Sequence, residues 1–362
     1  MNARGLDGRS SRPPEPPTTL AAMTENRVNL YSLTDTITPW AVRAAATLGL
    51  ADLIAAGTNT LDGLAAAAKA DPDALYRLMR YLAVRGVFRE VEPRVYALTE
   101  AAEFLKKDHP AAQRPWLDVD SMAGRIEGTF SSLTHSIRTG DAAYPERYGI
   151  SFWDDLSANP DRATSFGALM ATHASYFGKV VEGYDWSQAK HVIDVGGGTG
   201  ALLTEILKAR PHLRGTVVDV PGVVEQGRAR FEAAGISDRV ETVAGSIFNP
   251  LPTGADVYIL SNVLHDWNDA SAEKILSRVA EAIGDNGKVL IVQILVQDEN
   301  GNFPDDPARL MFITQMDLRL LSLMAGKART WREYAELGEK VGLKVTGTTV
   351  IETGQTLLEL GR

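Results

Sequence analysis

The sequence predicts an α/β protein in which a mostly α-helical, winged-helix-type domain precedes a Rossmann-like, doubly wound parallel sheet. Three observations predict this fold class. A short apolar run at 191–195 passes directly into a glycine cluster at 196–200, and further apolar runs of strand length follow it. In the first half of the chain, apolar residues recur at helical spacing instead. We therefore expect two domains, at 26–180 and 181–362, after a disordered tail at 1–25.

The composition is typical of a two-domain globular protein without disulfides. The 362 residues are 44% hydrophobic, which is enough to bury more than one core, and none of them is cysteine. The sequence contains no secretory signal and no apolar run long enough to cross a bilayer, so we expect a cytoplasmic protein with no membrane partner. The 37 basic and 46 acidic residues give a net charge of −9, which disfavours nucleic acid and favours a small neutral or cationic substrate.

The first half of the chain predicts helices that lead into a small β-hairpin. The tail is rich in proline and lacks apolar periodicity, which predicts disorder. A helix is predicted from the start signal Asp71-Pro72 to Gly86, and two short strands follow at 87–90 and 95–98. The apolar face of that helix comprises Leu75, Leu78, Met79 and Leu82. This arrangement predicts a winged helix, a fold that often binds DNA.

A DNA-binding regulator is therefore one alternative. Arg77, Arg80 and Arg85 decorate the predicted helix, but acidic neighbours dilute their charge. No run of lysine or arginine continues the surface, as binding to a phosphate backbone would require. The sequence therefore gives this role little support.

The glycine cluster after the first strand predicts a site for a nucleotide-like cofactor. Gly196, Gly198 and Gly200 let the backbone turn sharply and approach a ligand, while the helix after them directs free N–H groups towards it. Asp194 lies within the strand, and Asp219 ends the next one, where its carboxylate can bind the two hydroxyls of a ribose. The spacing also satisfies the dinucleotide pattern G-x-G-x-x-G/A, so NAD and S-adenosylmethionine (SAM) are both candidates.

The fourth predicted strand leads to a histidine that we expect at the same site. Strands two, three and four are predicted at 215–219, 240–243 and 255–261. In a doubly wound sheet the order reverses between the first strand and the fourth, so His265 is expected beside the glycine loop. An imidazole there suits a reaction that needs a base at neutral pH, such as removal of a phenol proton. A packed or surface histidine is the alternative, but position and neighbours favour catalysis.

Several motifs resemble the SAM-dependent small-molecule O-methyltransferases over nearly the whole chain. They are the glycine cluster and the segments 38–48, 218–221, 260–267 and 316–319. The resemblance is to the branch that includes plant caffeic acid O-methyltransferase and, more closely, to bacterial enzymes that tailor polyketides and other aromatic natural products. It implies SAM as the cofactor, a small aromatic acceptor whose phenolate displaces the methyl group in line, and a homodimer formed through the N-terminal domain.

The resemblance and the strand positions together give the candidate site residues. His265 and Asp266 are the catalytic candidates, with His265 as the general base, and no metal is expected. The cofactor-binding candidates lie at and after the strand ends: Asp194, Gly196, Gly198, Gly200, Asp219, Val220, Gly245, Ser246, Ile247, Phe248 and Ser261. The substrate-binding candidates should line an acceptor pocket: Trp116, Phe166, Met170, Asn262, Met316 and Leu320.

Two further groups carry expectations with an open alternative. An aromatic and sulfur-rich stretch is expected to cover the cofactor, but ordinary interdomain core would give the same pattern: Phe152, Trp153, Phe166, Met170, His173, Tyr176 and Phe177. An apolar helical segment is the candidate dimer contact, although burial within its own domain would look alike: Trp40, Val42, Ala45, Ala46 and Leu50.

Three positions depart from the family pattern. Relatives commonly have a glutamate at the end of the fifth strand and another in a Gly-Gly-x-Glu-Arg-Thr turn, whereas this chain has Gln293 and Ala328. Loss of both carboxylates predicts a less basic His265 unless Asp266 orients the ring. Ser246 replaces an aspartate that accepts a hydrogen bond from the adenine amino group in many relatives, a role that serine can still fill.

These losses leave a second function open. Some family members bind SAM yet catalyse hydroxylation, decarboxylation or a pericyclic step without methyl transfer, and the chain also resembles one of them, aclacinomycin hydroxylase. We favour O-methylation because His265 and Asp266 are retained. The acceptor, the position methylated and the choice between oxygen, nitrogen and carbon are not determined by a readable motif.

Overall fold

The computed structural model describes residues 30–111, 113–172 and 174–362. The predicted tail at 1–25 and His173 lie outside the described residues. Helices and one small hairpin fill the described chain as far as Gly183, and a seven-stranded sheet with flanking helices occupies the remainder. The fold class is therefore the predicted one, whereas the boundary at residue 180 stays a prediction.

The N-terminal helices and the hairpin share one hydrophobic core. Asp71 accepts a hydrogen bond from the backbone N of Ala74 (2.8 Å), and Pro72 occupies the first turn, so the helix starts at its predicted signal. The strands of the hairpin pair antiparallel as a wing. The elements are α1 (Leu30–Leu33), α2 (Ile37–Thr47), α3 (Leu50–Ala55), α4 (Leu61–Ala68), α5 (Pro72–Val84), β1 (Phe88–Glu92) and β2 (Val95–Leu98).

Packing in this core accounts for some of the residues predicted to form the dimer contact. Ala45, Ala46 and Leu50 are fully buried within the domain, so their own core accounts for their apolar character. Trp40 is 52% exposed, and Ile37, three residues before it on the same face of α2, is also exposed. An unburied apolar face therefore remains at the start of α2.

Of the next helices, α8, α10, α11 and α12 form a second cluster that packs against the C-terminal half, whereas α6 joins the N-terminal core and α13 packs with the sheet. Phe152, Leu169 and Ile126 are buried in this cluster together with Leu323, which belongs to a helix far along the chain. The helices are α6 (Glu100–Glu103), α7 (Arg114–Leu117), α8 (Met122–Gly128), α9 (Leu133–Thr139), α10 (Ala143–Tyr148), α11 (Phe152–Ala158), α12 (Pro160–Ala171) and α13 (Phe177–Gly183).

The sheet has the order β5-β4-β3-β6-β7-β9-β8, in which the first five strands pair in parallel and β9 pairs antiparallel with both β7 and β8. The four predicted strands and the fifth are present. The C-terminal hairpin was not predicted, because its pairing partner β7 lies more than fifty residues away in the chain. The strands are β3 (His191–Val195), β4 (Arg214–Asp219), β5 (Val240–Ala244), β6 (Val257–Ser261), β7 (Lys288–Gln293), β8 (Lys344–Val350) and β9 (Thr356–Gly361).

Helices on both faces bury the sheet and leave a crevice at its carboxyl edge. Strand β3 pairs with β4 on one side and with β6 on the other, so chain order reverses there as predicted. Within 30–111, 113–172 and 174–362, no helix has the length and apolarity needed to span a bilayer. The remaining helices are α14 (Ala201–Ala209), α15 (Pro221–Ala233), α16 (Asp269–Ala282), α17 (Pro307–Met324) and α18 (Trp331–Lys340).

Candidate active site

The glycine loop between β3 and α14 has a backbone that other residues would adopt only with strain. Gly198 and Gly200 have φ of +60° and +71°, in the left-handed region. A Cβ on Gly200 would collide with the ring of Phe231, whereas a Cβ on Gly198 would point into open space. Gly200 thus satisfies a packing constraint, and Gly198 keeps the approach to the N-terminus of α14 open for a ligand.

Two carboxylates flank this loop, and one of them has no hydrogen-bond partner. Asp219 accepts hydrogen bonds from the backbone N of Gly198 (2.8 Å) and of Val220 (2.7 Å). Both carboxylate oxygens of Asp194 are buried without a partner. Burial, together with the charge of Asp219, raises the pKa of Asp194 to about 7. A pair of this kind is suited to a ligand that brings a positive charge and hydroxyl groups.

The segment after β5 forms the opposite rim of the crevice. The backbone N of Gly245 donates to the carbonyl O of Asp219 (2.9 Å), which joins this segment to the end of β4. A Cβ on Gly196 would lie 2.9 Å from Val263 and 3.8 Å from Ile247, so the loop, this segment and the end of β6 meet. Ser246, Ile247 and Phe248, which the sequence analysis names as cofactor-binding candidates, are all partly buried there.

A short 3-10 turn, Leu264–Asp266, carries the candidate base, and a buried arginine holds that turn. Arg329 is fully buried and donates to the carbonyl O of Leu264 (2.7 Å) and of Trp267 (2.8 Å), while Asp269 compensates its charge (2.8 Å). The backbone N of Lys327 donates to the carbonyl O of His265 (2.8 Å). The turn is thus fixed from both ends.

The imidazole of His265 lies between an amide and a carboxyl group. The Nε2 of Gln293 donates to Nδ1 of His265 (2.8 Å), and Nε2 of His265 lies 3.3 Å from Oδ1 of Asp266. The two side chains of this pair are 12% and 18% exposed. Burial raises the pKa of Asp266 well above its ordinary value. Gln293, rather than Asp266, therefore occupies the orienting position at Nδ1.

Five of the six predicted acceptor-binding residues lie on α7, α12 and α17, here called the wall, whereas the sixth, Asn262, follows β6. Trp116 donates its indole N–H to Thr172 (3.0 Å), and Phe166 packs edge-on against Phe152 and Trp153. Leu320 is buried, Met316 is partly buried, and Met170 is partly exposed near the end of α12. Phe166 packs against the cluster that contains Leu323, which agrees with the alternative of ordinary interdomain core, and its expected contact with the cofactor stays a prediction.

A charged cluster adjoins this wall, and the sequence did not predict it. Arg43 and Arg319 both contact the carboxylate of Glu127, at 3.3 Å and 2.8 Å. Arg43 also donates to the carbonyl O of Trp116 (2.8 Å), and the guanidinium of Arg319 lies 5.8 Å from the centre of the Trp116 ring. The three side chains come from α2, α17 and α8, so only tertiary contacts reveal the cluster.

Tyr176 has a polar role that the sequence did not indicate. Its hydroxyl accepts a hydrogen bond from Nδ2 of Asn262 (2.8 Å) and lies 2.9 Å from Oγ of Ser261. Burial raises the pKa of Tyr176 to about 12, so the hydroxyl stays protonated. Asn262 has a φ of +52°, and its backbone N donates to the carbonyl O of Val292 (3.1 Å). The sequence predicted Tyr176 as part of an aromatic cover but offered no signal for this contact.

The reversed strand order, the glycine loop with two acids and the histidine at the end of β6 define a nucleotide-cofactor enzyme of the methyltransferase type. The chain belongs to the O-methyltransferase family. The O-methyltransferase domain matches residues 130–344, and the O-methyltransferase dimerisation domain matches residues 31–108. The predicted family, enzyme class and SAM cofactor are thereby confirmed.

Two curated relatives illustrate the range of chemistry in this family. The chain is 46% identical to the 2,7-dihydroxy-5-methyl-1-naphthoate 7-O-methyltransferase of Streptomyces carzinostaticus, over 88% of this chain and 93% of the relative. It is 40% identical to aclacinomycin 10-hydroxylase of Streptomyces purpurascens, over 92% of this chain and 89% of the relative. The chain is also similar to a crystal structure of an O-methyltransferase from neocarzinostatin biosynthesis, in complex with SAM and 2-hydroxy-5-methyl naphthoic acid. The two structures superimpose with a TM-score of 0.86 at 43% identity, over 92% of this chain and 99% of the other.

The residues present fit SAM. The unpartnered, buried carboxylate of Asp194 matches a ligand that carries an ammonium group and a sulfonium, and Asp219 lies at the strand end where a ribose binds. The open space that a Cβ on Gly198 would fill provides the close backbone approach. This chain uses SAM as an O-methyltransferase of its family.

Proposed function

We propose that this enzyme methylates a hydroxyl group of a fused-ring aromatic acid, with His265 as the general base. The observation that carries the proposal is the position of His265 in the turn after β6, between Val263, which lies against Gly196 of the glycine loop, and Trp267, which stacks on Trp153. SAM, when bound, supplies a methyl group activated by its sulfonium. The protein's part is then to align the acceptor and to remove its proton.

Helix α17 contacts both the turn that carries the candidate base and the wall that contains Trp116. Asp317 accepts a hydrogen bond from the backbone N of Ala328 (2.7 Å), in the turn that holds His265, whereas Arg319 contacts Trp116 and Glu127. At 3.6 residues per turn, these two side chains leave opposite sides of the helix, and Met316 and Leu320 lie on the face between them. That face is apolar and suits a flat aromatic ring.

The charge of the wall supports an acidic acceptor. Among the residues that the structure describes, Arg43 and Arg319 share the carboxylate of Glu127, which leaves one positive charge beside the apolar face. A guanidinium near an aromatic ring favours a planar ligand with a carboxylate, because it can donate two parallel hydrogen bonds. The naphthoate acceptor in the name of the 46% identical relative agrees with this assignment.

Other residues receive roles from their positions. Asp194 is proposed to bind the ammonium group of SAM, and Asp219, with Val220 beside it, the ribose. Gly245, Ser246, Ile247 and Phe248 would enclose the adenine at the opposite rim. Ser261 and Asn262, which Tyr176 holds, would separate cofactor and acceptor. These assignments are based on the strand ends around one crevice.

We propose that the protein forms a homodimer and is located in the cytoplasm. The match to the dimerisation domain and the exposed apolar face around Ile37 and Trp40 support the dimer. SAM is made in the cytoplasm, which supports the location. Arg77 on α5 pairs with Asp73 (2.7 Å), so part of its charge is compensated and a nucleic-acid partner is not proposed.

The test uses purified enzyme, SAM labelled in its methyl group and matched acceptors. A dihydroxynaphthoic acid should acquire label, whereas the corresponding dihydroxynaphthalene should show a higher KM. His265→Ala should lower turnover by about 100-fold or more at a pH below the acceptor pKa. Arg319→Gln should raise KM for the acid about tenfold and leave that of the diol unchanged. Arg162→Gln is the control, because Arg162 pairs with Asp155 in a different cluster.

Three results would contradict the proposal. Unchanged turnover in His265→Ala would show that His265 is not the general base. Equal effects of Arg319→Gln on the KM values for the acid and for the diol would contradict the proposal of an acidic acceptor. If no acceptor of the series became labelled although calorimetry showed that SAM binds, methyl transfer would give way to a non-methylating reaction like that of the 40% identical hydroxylase.

A further inference from the structure

Three polar side chains join the helical half of the chain to the end of β6. Tyr176 lies in the turn between α12 and α13, whereas Ser261 ends β6 and Asn262 follows it. The hydroxyl of Tyr176 accepts a hydrogen bond from Nδ2 of Asn262 (2.8 Å) and lies 2.9 Å from Oγ of Ser261. Tyr176 is only 5% exposed, so water has little access to its hydroxyl group. The three side chains therefore depend on one another for their hydrogen bonds.

The donors and acceptors of this cluster determine the direction of the tyrosine proton. The Nδ2 group of Asn262 can only donate, so the oxygen of Tyr176 accepts there. The O–H of Tyr176 needs an acceptor of its own, because burial of an unpaired O–H group is costly. Among the described residues, Oγ of Ser261 is the acceptor within reach. The hydroxyl proton of Ser261 then remains available to a ligand in the crevice.

Backbone contacts hold Asn262 in the conformation that this arrangement requires. Its φ of +52° lies in the left-handed region, which asparagine adopts more readily than most residues. Its backbone N donates to the carbonyl O of Val292 in β7 (3.1 Å). The backbone of Asn262 is thus fixed by the neighbouring strand, and its side-chain amide stays at the hydroxyl of Tyr176.

The cluster lies beside the buried carboxyl group of Asp194. In the pairing of β3 with β6, Asp194 is opposite Ile259, two residues before Ser261. Burial and, to a smaller extent, the charge of Asp194 raise the pKa of Tyr176 to about 12, which also shows that the two groups are close. An acid without a hydrogen-bond partner among the described residues thus adjoins a hydroxyl donor. This pair matches an amino-acid group, whose ammonium and carboxylate share one carbon atom.

We propose that Tyr176 is a positioning residue that directs the hydroxyl of Ser261 at the carboxylate of the amino-acid part of SAM. The inference deepens the proposed binding of the cofactor, and it rests on the assignment of the ammonium group to Asp194. Asn262 donates to Tyr176, Tyr176 donates to Ser261, and Ser261 donates to the carboxylate. This chain of hydrogen bonds selects a ligand whose amino-acid group is complete.

The experiment compares two ligands that differ only in the carboxylate. S-adenosylhomocysteine and its decarboxylated analogue, S-adenosyl-3-thiopropylamine, both contain the adenosine, the thioether and the ammonium group. In calorimetry, Tyr176→Phe should weaken binding of S-adenosylhomocysteine about tenfold, because a hydrogen bond to a charged group is lost, and leave binding of the analogue unchanged. Tyr184→Phe is the matched control. It also removes a hydrogen-bonded tyrosine hydroxyl, but one that donates to Glu359 (2.7 Å), so neither affinity should change.

Two further variants test the order of the hydrogen bonds. Asn262→Gly keeps the left-handed backbone accessible and leaves the ring of Tyr176 in the core, but it removes the amide. Ser261 can then donate to Tyr176, so binding of S-adenosylhomocysteine alone should weaken, by about threefold. Ser261→Ala should reproduce the selective loss of Tyr176→Phe. The double variant Tyr176→Phe/Ser261→Ala should bind no more weakly than Ser261→Ala, because the two residues act in series.

Three results would overturn the proposal. Binding of S-adenosylhomocysteine that is unchanged in Tyr176→Phe would show that the hydroxyl has no role. Equal losses for both ligands would show that Tyr176 supports the crevice in general. Additive losses in the double variant would show that Tyr176 acts without Ser261.

Binding is measured without an acceptor, so the result is independent of methyl transfer. A selective loss in Tyr176→Phe would support the role of Tyr176 even if no acceptor became labelled. Asp194→Asn should weaken binding of both ligands, since both contain the ammonium group. Unchanged binding in Asp194→Asn would contradict the proposed ammonium contact, whereas a selective loss in Tyr176→Phe would still identify the carboxylate contact.

Discussion

At the scale of single residues, Asp194 shows how a buried carboxyl can be reserved for a ligand. Its two oxygens have no hydrogen-bond partner among the described residues, and burial with the nearby Asp219 raises its pKa to about 7. Because this value exceeds the ordinary 3.8, the carboxyl group favours the folded state most below pH 4, and that contribution is lost as pH rises through 7. Ionisation of the buried Asp194 near neutral pH therefore lowers the stability of the folded protein, and a bound cation would offset that loss.

We expect SAM binding to require the ionised form of Asp194. Affinity should therefore weaken as pH falls below about 7, and binding near pH 6.5 should release a proton from this carboxyl group. Calorimetry in two buffers of different protonation enthalpy measures that release. Asp194→Asn is the comparison, because the ligand's own titration is common to both proteins. Equal proton release in the two proteins would show that Asp194 stays protonated or stays apart from the cofactor.

At the scale of elements, the site is built from the segments that come directly after the parallel strands. Strands β3, β4, β5 and β6 end at one edge, where the glycine loop, Asp219, Ser246 and His265 are found. The loop after β3 must pass between the sheet and α15, where Gly200 meets Phe231. The turn after β6 has no regular helix to hold it, so buried Arg329 performs that task from the turn before α18.

Two glycines of the loop should respond differently to alanine. Gly200→Ala adds strain at a φ of +71° and a collision with Phe231, so we expect a loss of stability of about 2 kcal/mol or more. Gly198→Ala adds strain of about 1 kcal/mol but meets no protein atom, so it should remain folded and lose SAM affinity. Urea unfolding and calorimetry measure the two effects. The reverse ranking would mean that Gly198 serves packing and that Gly200 faces the ligand.

At the scale of the whole molecule, the N-terminal half serves both the acceptor wall and the proposed dimer. Arg43 of α2 reaches Glu127 of α8 and, through it, Arg319 of α17, so the first helices are tied to the acceptor wall. The outer face of α2 remains apolar at Ile37 and Trp40. Such a face is expected in the interface of a homodimer.

Trp40→Asp should shift the protein from dimer to monomer in sedimentation experiments, because a charge in an apolar interface is left without a partner. Val84→Asp is the control. Val84 is also an exposed apolar residue but lies at the end of α5, and its replacement should leave the assembly unchanged. A dimer that persists in Trp40→Asp would place the interface elsewhere on the N-terminal domain.

Patterns along the chain were sufficient for the strands, the glycine loop and the position of His265. Apolar runs predicted β3, β4, β6 and β7 because a strand buried on both faces needs continuous apolar residues, whereas β5 is a partly buried edge strand with a weaker pattern. Chain reversal between β3 and β6 then gave the expected position of His265. The β8–β9 hairpin escaped prediction because its place depends on pairing with β7, a contact between distant segments. The apolar pattern of α2 was ambiguous for a similar reason, since core and interface require the same residue types.

The sequence by itself determined the fold class, because that depends on residue types at short, regular spacing, and its resemblance to the O-methyltransferases determined the family, the SAM cofactor and the candidate base. It could identify Gln293 as a departure but could not place its amide 2.8 Å from Nδ1 of His265. The cluster around Glu127, the contact of Tyr176 with Asn262 and the role of Arg329 were likewise decided by tertiary structure alone. Each joins side chains from separate elements, and the free energy that brings them together comes from packing of the whole chain rather than from local propensity.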